Sequence, residues 1–171
     1  YLLRTRRGSD LWVVGPPGVE AKLAELCEVG DYPVHSRERG GFDLHFVEAN
    51  GAEQQAGPVR FRSERVEHVP ELECFGYVIE QHGRHIGYTG DSQMCDGVLR
   101  LAGASDVLVS ECNQPHPYPG RMLVHMTHAD IATLSEHFPG LPLLLTHVGA
   151  DVTTGGLANV RIPADLETLH V

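Results

Sequence analysis

Several short apolar segments of this chain each end in a side chain that can bind a metal ion or transfer a proton. The residues that follow these segments are His68, Asp91, Glu111, His125 and His147. Strands that end together at one edge of a rigid sheet bring such side chains close to one another. A carboxylate combined with neutral imidazoles suits zinc, manganese or iron. The pattern therefore predicts a sheet with a metal site at one edge.

The stretch GYTGDS, residues 87–92, places Asp91 directly after a glycine, where a short strand is expected to end. Gly-Asp pairs are common in turns, so a plain turn is one interpretation. The other is a metal ligand, since the two oxygens of an aspartate between two cations can bind one cation each. This stretch alone does not distinguish a plain turn from a metal ligand.

Composition narrows the class of protein. A length of 171 residues suits one domain, and 42% hydrophobic with 21% charged residues is ordinary for a soluble protein without a membrane partner. The net charge of −10 disfavours a broad nucleic-acid surface, which needs clustered Lys and Arg. The four cysteines form no CxxC pair, so neither a zinc ribbon nor a secreted disulfide scaffold is expected. We expect reduced thiols and a cytoplasmic location.

Hydrophobic periodicity predicts an α/β fold in which antiparallel strands come first and helices alternate with strands later. THADIATLSEHFPG reads as a helix with Thr127 as N-cap and Asp130 completing a capping box. We also expect a helix in VEAKLAELCEVG and a hairpin of two strands that turns at His82-Gly83. Further strands are expected in DLWVVG, FDLHFVEA, 59–66, 106–110, 141–146 and ADLETLHV.

Taken in order, VEHVPELECFGYVIE, GYTGDS, LVSECN, HMTHADIATLSEHFP, LLLTHVG and ADLETLHV resemble the metallo-β-lactamase fold. Within that fold the chain is most similar to the branch of ribonuclease Z and related phosphodiesterases. The resemblance implies an αβ/βα four-layer sandwich with two divalent metal ions, zinc or else manganese or iron. It matches His68 and His147 to histidines on the first and second metal, and Asp91 to the aspartate that bridges them. Glu111 and His125 match a pair that passes a proton to the leaving group.

The HxHxDH motif of that fold does not occur in residues 1–171. The resemblance places it just before LWVVGPPG, and the chain opens with YLLRTRRG rather than with methionine. We therefore expect residues 1–171 to be one metallo-β-lactamase-like domain that lacks its N-terminal strands and this motif. Each metal would then keep two ligands from this chain, fewer than the three or more that are usual at a catalytic site.

Only residues 69–90 separate His68 from Asp91, and one hairpin fills them. The resemblance places the long substrate-gripping arm of tRNA-processing members there, so the short segment and the acidity favour a small phosphodiester substrate. The expected reaction is hydrolysis by a hydroxide that bridges the metals. The alternatives are an arm-less RNA nuclease of ribonuclease Z type, a lactonase, and a non-catalytic member that binds a ligand or partner. A homodimer is compatible with all of these.

Overall fold

The computed structural model describes residues 9–28, 42–120 and 122–169. Nine strands and three helices lie within these ranges. The strands are β1 Leu11–Gly15, β2 Leu44–Glu48, β3 Glu53–Ala56, β4 Val59–Val66, β5 Cys74–Gln81, β6 Arg84–Tyr88, β7 Val107–Cys112, β8 Leu143–Val148 and β9 Val160–Arg161. The helices are α1 Val19–Glu28, α2 Asp96–Gly103 and α3 His128–His137.

The strands form two sheets. β1 and β2 pair in parallel as a two-stranded sheet, and the other strands form a seven-stranded sheet in the order β3-β4-β5-β6-β7-β8-β9. The pairs from β3 to β6 are antiparallel, and those from β6 to β9 are parallel. The mixed α/β class predicted from the sequence is confirmed. The expectation that antiparallel strands come first is wrong for β1 and β2, because the connection through α1 is long enough for a parallel crossover.

The main core lies between the central strands and helices α2 and α3. Leu101 of α2, Leu108 of β7, Ile131 of α3 and Leu143 of β8 are each 0% exposed. Strand β7 is buried along almost its whole length, as its continuous apolar run predicts. None of the helices in the described ranges has the length and apolar character needed to cross a bilayer.

Two local predictions that position the site are confirmed. The hairpin β5–β6 turns at His82 and Gly83, whose φ angles of 51° and 75° suit a tight turn. Helix α3 begins with the predicted capping box, in which the Thr127 side chain accepts from the Asp130 N–H and Asp130 accepts from the Thr127 N–H. This cap fixes the start of α3 at His128, three residues after His125.

The predicted final strand in ADLETLHV is wrong for the residues that the structure describes. Residues 164–169 contain turns and no strand, and the last strand is the two-residue β9. Arg161 forms an ion pair with Glu167, which folds the tail back, and the Leu166 side chain is fully exposed. The alternating leucines therefore do not mark a buried strand face. Residues 170 and 171 lie outside the described residues.

Candidate metal centre

All five predicted site residues meet at one edge of the seven-stranded sheet. Strands β4, β6, β7 and β8 run in the same direction, so their C-terminal ends lie at the same edge. One potential ligand atom from each of Asp91, His125 and His147 lies within 4.8 Å of the others. The His125 ring centroid lies 5.2 Å from that of His147 and 4.8 Å from that of His68.

His147 owes its position to an irregularity at the end of β8. Glu111 pairs with Thr146 and Cys112 with Val148, so His147 is an extra residue where the register shifts. Its φ of 48° lies in the left-handed region, which is strained for a side chain other than glycine. Such bulges and strained backbones occur preferentially beside functional sites, where they redirect a side chain.

Asp91 lies in the turn that follows β6. Gly90 has a φ of 62°, a conformation that glycine adopts without steric cost, and it turns the chain so that Asp91 leaves the strand direction. Asp91 Oδ1 lies 2.9 Å from Nδ1 of His147, and each of these side chains is 45% exposed. The pair is therefore open to solvent and to a ligand.

Glu111 and His125 form a second pair beside the first. Glu111 lies within β7, not after it as the sequence suggested, and its side chain is only 1% exposed. Its Oε1 accepts from the Ser92 N–H at 2.9 Å and its Oε2 accepts from the Asn113 N–H at 3.0 Å. His125 Nδ1 lies 2.6 Å from Oε1 and donates to it, which leaves Nε2 of His125 as the free ring nitrogen.

His68 approaches the same place from the turn after β4. Its Nδ1 lies 2.7 Å from the Val124 carbonyl oxygen. A carbonyl oxygen only accepts, so the proton of neutral His68 is on Nδ1 and the lone pair is on Nε2. This hydrogen bond also joins the His68 turn to the residue that precedes His125.

The donor set fits a divalent metal ion. Carboxylate oxygen and imidazole nitrogen are the ligands that zinc prefers alongside thiolate, and ligands on one tetrahedral zinc ion lie about 3.4 Å apart. Small side-chain rotations would bring the Asp91, His125 and His147 atoms to that separation. The anchoring of His68 and His125 through Nδ1 is the arrangement by which buried partners orient metal-binding histidines. The structure thus groups His125, rather than His68, most closely with Asp91 and His147.

Two hydroxyl residues at the site carried no sequence prediction. Ser92 and Thr89 are each 0% exposed, and the Thr89 hydroxyl accepts from the Glu111 N–H at 3.2 Å. Both lie in the quoted GYTGDS stretch, and their position beside Asp91 is the signal that could have found them. Cys112 is also buried nearby, and burial, with smaller contributions from the charges of Glu111 and Asp130, raises the pKa of its thiol to about 12.

Comparisons with known proteins agree with this fold. Residues 2–148 match the family model described as the beta-lactamase superfamily domain. A ribonuclease Z of Lacticaseibacillus casei is 28% identical over 104 residues, which cover 53% of this chain and 32% of that protein. The metallo-β-lactamase fold protein YhfI of Bacillus subtilis has a TM-score of 0.62 at 18% identity, covering 86% of this chain and 55% of that one. A diphosphatase from the PhnP family has a TM-score of 0.65 at 17% identity, covering 92% of this chain and 57% of that one.

The chain thus spans about a third of the ribonuclease Z and somewhat more than half of these two solved structures. At such low identities the structural matches establish the fold alone. The resemblance to the metallo-β-lactamase fold stated from the sequence motifs is confirmed. Because the family model matches most of its length, the chain belongs to the beta-lactamase superfamily domain family and has the metallo-β-lactamase fold.

Proposed function

We propose that this protein is a metal-dependent hydrolase that cleaves small phosphodiesters. One observation carries the proposal. The buried Glu111 carboxylate holds His125 at 2.6 Å, directly beside the exposed pair of Asp91 and His147. A fixed imidazole next to a set of metal ligands combines the two functions that phosphoester hydrolysis needs, charge stabilisation and proton delivery.

The relatives support a phosphoester substrate. One is named a ribonuclease and another a diphosphatase, so both names refer to the cleavage of bonds to phosphorus. The match to the ribonuclease Z favours RNA cleavage as a second candidate. The net charge of −10 and the short hairpin between His68 and Asp91 favour the small phosphodiester instead.

Asp91, His147 and His68 would hold the divalent metal, with zinc as the ion. Bound divalent ions supply a Lewis acid that polarises a phosphoryl oxygen. The exposed side chains of Asp91 and His147 leave room for the substrate at the sheet edge. The Nδ1 anchor of His68 keeps its Nε2 lone pair available for coordination.

His125 would donate the proton that the departing oxygen needs. Its Nδ1 stays hydrogen-bonded to Glu111, so the transferable proton is on Nε2. Donation requires the imidazolium form of His125, and the two backbone N–H groups on the carboxylate keep Glu111 from rotating. Glu111 thus orients His125, and His125 alone exchanges a proton with the substrate.

Single substitutions test these roles in the intact protein. Asp91→Ala and His147→Ala should lose bound metal and activity together, because each removes a ligand. His125→Ala should keep its metal and lower kcat by about 100-fold, the size of a general-acid contribution. The measurements are metal content per chain and turnover of bis-p-nitrophenyl phosphate. His137→Ala is the control, since His137 is an exposed residue at the end of α3.

Loss of metal in His125→Ala with retention in His147→Ala would reverse the assigned roles. A metal-loaded wild-type protein that cleaves RNA but not the small phosphodiester would favour the nuclease. Turnover of lactones alone would make the protein a lactonase. A metal-loaded protein inactive on all three substrate classes would favour the non-catalytic binding member of the fold.

A further inference from the structure

Ser92 lies where the segments that carry His68, Asp91 and Glu111 meet. Its side chain is 0% exposed. Its backbone N–H donates to Glu111 Oε1 at 2.9 Å. Its hydroxyl lies 3.1 Å from the carbonyl oxygen of Glu67, the residue before His68, and 2.6 Å from the Gln93 carbonyl oxygen. Ser92, which directly follows Asp91 in the chain, therefore contacts both the segment of Glu111 and the segment of His68.

The hydrogen bond from Ser92 to Glu111 links Ser92 to His125. The same oxygen, Glu111 Oε1, accepts from the Ser92 N–H and from His125 Nδ1. A displacement of Ser92 would therefore move the acceptor that orients the His125 ring. Because Asp91 precedes Ser92 directly, the positions of Asp91 and His125 are linked through this oxygen.

The contact with Glu67 reaches His68. The Glu67 carbonyl oxygen also accepts from the Gln93 N–H at 2.7 Å. Removal of the Ser92 hydroxyl would thus leave the Glu67 carbonyl with the Gln93 N–H as its donor. The expected consequence is looser placement of the turn that contains Asp91 rather than loss of the fold.

We propose that Ser92 is a positioning residue that sets the separation of Asp91 from His125 and His68. The inference rests on the proposed function, in which Asp91 binds metal and His125 donates a proton. Ser92 itself touches neither substrate nor metal. Its hydroxyl lies within hydrogen-bond distance of the Glu67 carbonyl oxygen in the His68 turn, and its N–H donates to the Glu111 carboxylate.

The test compares Ser92→Ala and Ser92→Thr with the wild-type protein, using Co²⁺ as the metal probe. Ser92→Ala should raise the Co²⁺ dissociation constant about 10-fold, the effect typical of residues that orient metal ligands. It should also change the visible absorption of bound Co²⁺ and lower kcat more than it changes KM. Ser92→Thr keeps a hydroxyl and should restore the wild-type dissociation constant.

Ser63→Ala is the matched control. Ser63 lies in β4, away from the site, and is also 0% exposed. Its hydroxyl accepts from the Gly51 N–H at 3.0 Å. It should leave the Co²⁺ dissociation constant and absorption unchanged. Ser92→Cys, with a thiol that is a weak donor, replaces Ser92→Ala if the alanine variant does not fold.

Equal Co²⁺ binding by wild type and by Ser92→Ala or Ser92→Cys would overturn the role of Ser92. An equal loss of affinity in Ser63→Ala, or in Ser92→Thr, would overturn it as well. Wild-type protein that binds Co²⁺ without cleaving a phosphodiester would contradict the proposed function and leave the Ser92 comparison valid. Wild-type protein that binds no Co²⁺ would contradict both.

Discussion

The three histidines at the site differ in what holds their Nδ1 atoms. A backbone carbonyl holds His68, a buried carboxylate holds His125, and an exposed carboxylate faces His147. A carbonyl oxygen only accepts, so it fixes the proton of neutral His68 on Nδ1, and a buried carboxylate fixes the orientation of the His125 ring. These anchors leave Nε2 of His68 for the proposed ligand role and Nε2 of His125 for the proposed proton transfer.

Glu111→Gln tests whether Glu111 acts by orienting His125 rather than by helping to hold the metal. Three N–H donors converge on the two oxygens of Glu111, and an amide offers only one oxygen, so at least one donor loses its acceptor. We expect kcat to fall about 10- to 100-fold with metal retained. The free energy of unfolding should fall by about 1–3 kcal/mol. Steady-state kinetics, metal content and urea unfolding measure these effects.

Glu73→Gln is the control for Glu111→Gln. Glu73 forms an exposed ion pair with Arg65 at 2.7 Å, and such surface pairs contribute less than about 1 kcal/mol. Its kinetics should match the wild type. Loss of metal from a stable Glu111→Gln protein would show that Glu111 acts on the metal ligands and not on His125 alone.

The sequence could select the candidate site residues but could not show their hydrogen-bond partners. Asp91 and His147 could be selected because Asp91 follows an apolar strand and His147 lies at the end of another, and parallel strands end at a common edge. His125 follows an apolar segment whose described residues 122–124 form no strand. The hydrogen bond from His68 to Val124 spans 56 positions in the chain, and no local pattern encodes it. The closer grouping of His125 with the Asp91 pair also depends on the bulge at His147, which only the strand register shows.

At the scale of elements, prediction succeeded where a buried face requires apolar residues at regular spacing. It failed where contacts with distant parts of the chain determine the residue type. The hairpin β5–β6 and helix α3 follow their patterns. Helix α2 was missed because glycines at both ends of an eight-residue segment read as turn signals. In the structure, Gly97 is needed for close packing, since a Cβ there would lie 2.0 Å from the Arg65 carbonyl oxygen. The polar edge strand β3 carries no apolar alternation that could reveal it.

The two glycines of α2 should respond to alanine with opposite signs. Gly97→Ala should destabilise the protein by about 1–3 kcal/mol, because the methyl group forces α2 away from β4. At Gly103 the nearest atom to a new Cβ is a Phe138 ring carbon at 3.7 Å, an ordinary contact. Gly103→Ala should therefore be neutral or stabilise by up to about 1 kcal/mol through helix propensity. Urea unfolding of both variants measures the difference, and equal effects would contradict the packing explanation.

At the scale of the whole molecule, the site and the core share the same strands. The faces of β7 and β8 that pack against the helices supply the core, and their ends supply Glu111 and His147. The candidate ligands come from segments far apart in sequence, so metal bound to them would link β4, β6 and β8. A ligand that binds only the folded state adds to its stability. Removal of metal by a chelator should therefore lower the unfolding temperature as well as the activity.

The core also predicts how stability depends on alkaline pH. Burial raises the pKa of Cys112 to about 12, whereas a thiol in the unfolded chain has a pKa of about 8.5. Above that unfolded value the unfolded chain releases the proton and the folded chain keeps it. This contribution to the free energy of unfolding is thus complete below pH ~8.5 and is lost as pH rises toward the folded pKa. Burial raises the pKa of Tyr77 as well, so this residue also lowers the free energy of unfolding as the pH rises.

Cys112→Ala isolates the thiol from Tyr77 and from the other groups that titrate in alkali. Between about pH 8.5 and pH 10.5 the free energy of unfolding should fall less steeply in this variant than in the wild type, because one proton fewer is released on unfolding. The variant should also be less stable at pH 7, since a buried side chain is shortened. Cys27→Ala, in the partly exposed helix α1, should keep the wild-type slope. Identical slopes for Cys112→Ala and wild type in urea titrations would show that the Cys112 thiol ionises equally easily in both states, and hence that this part of the core admits water.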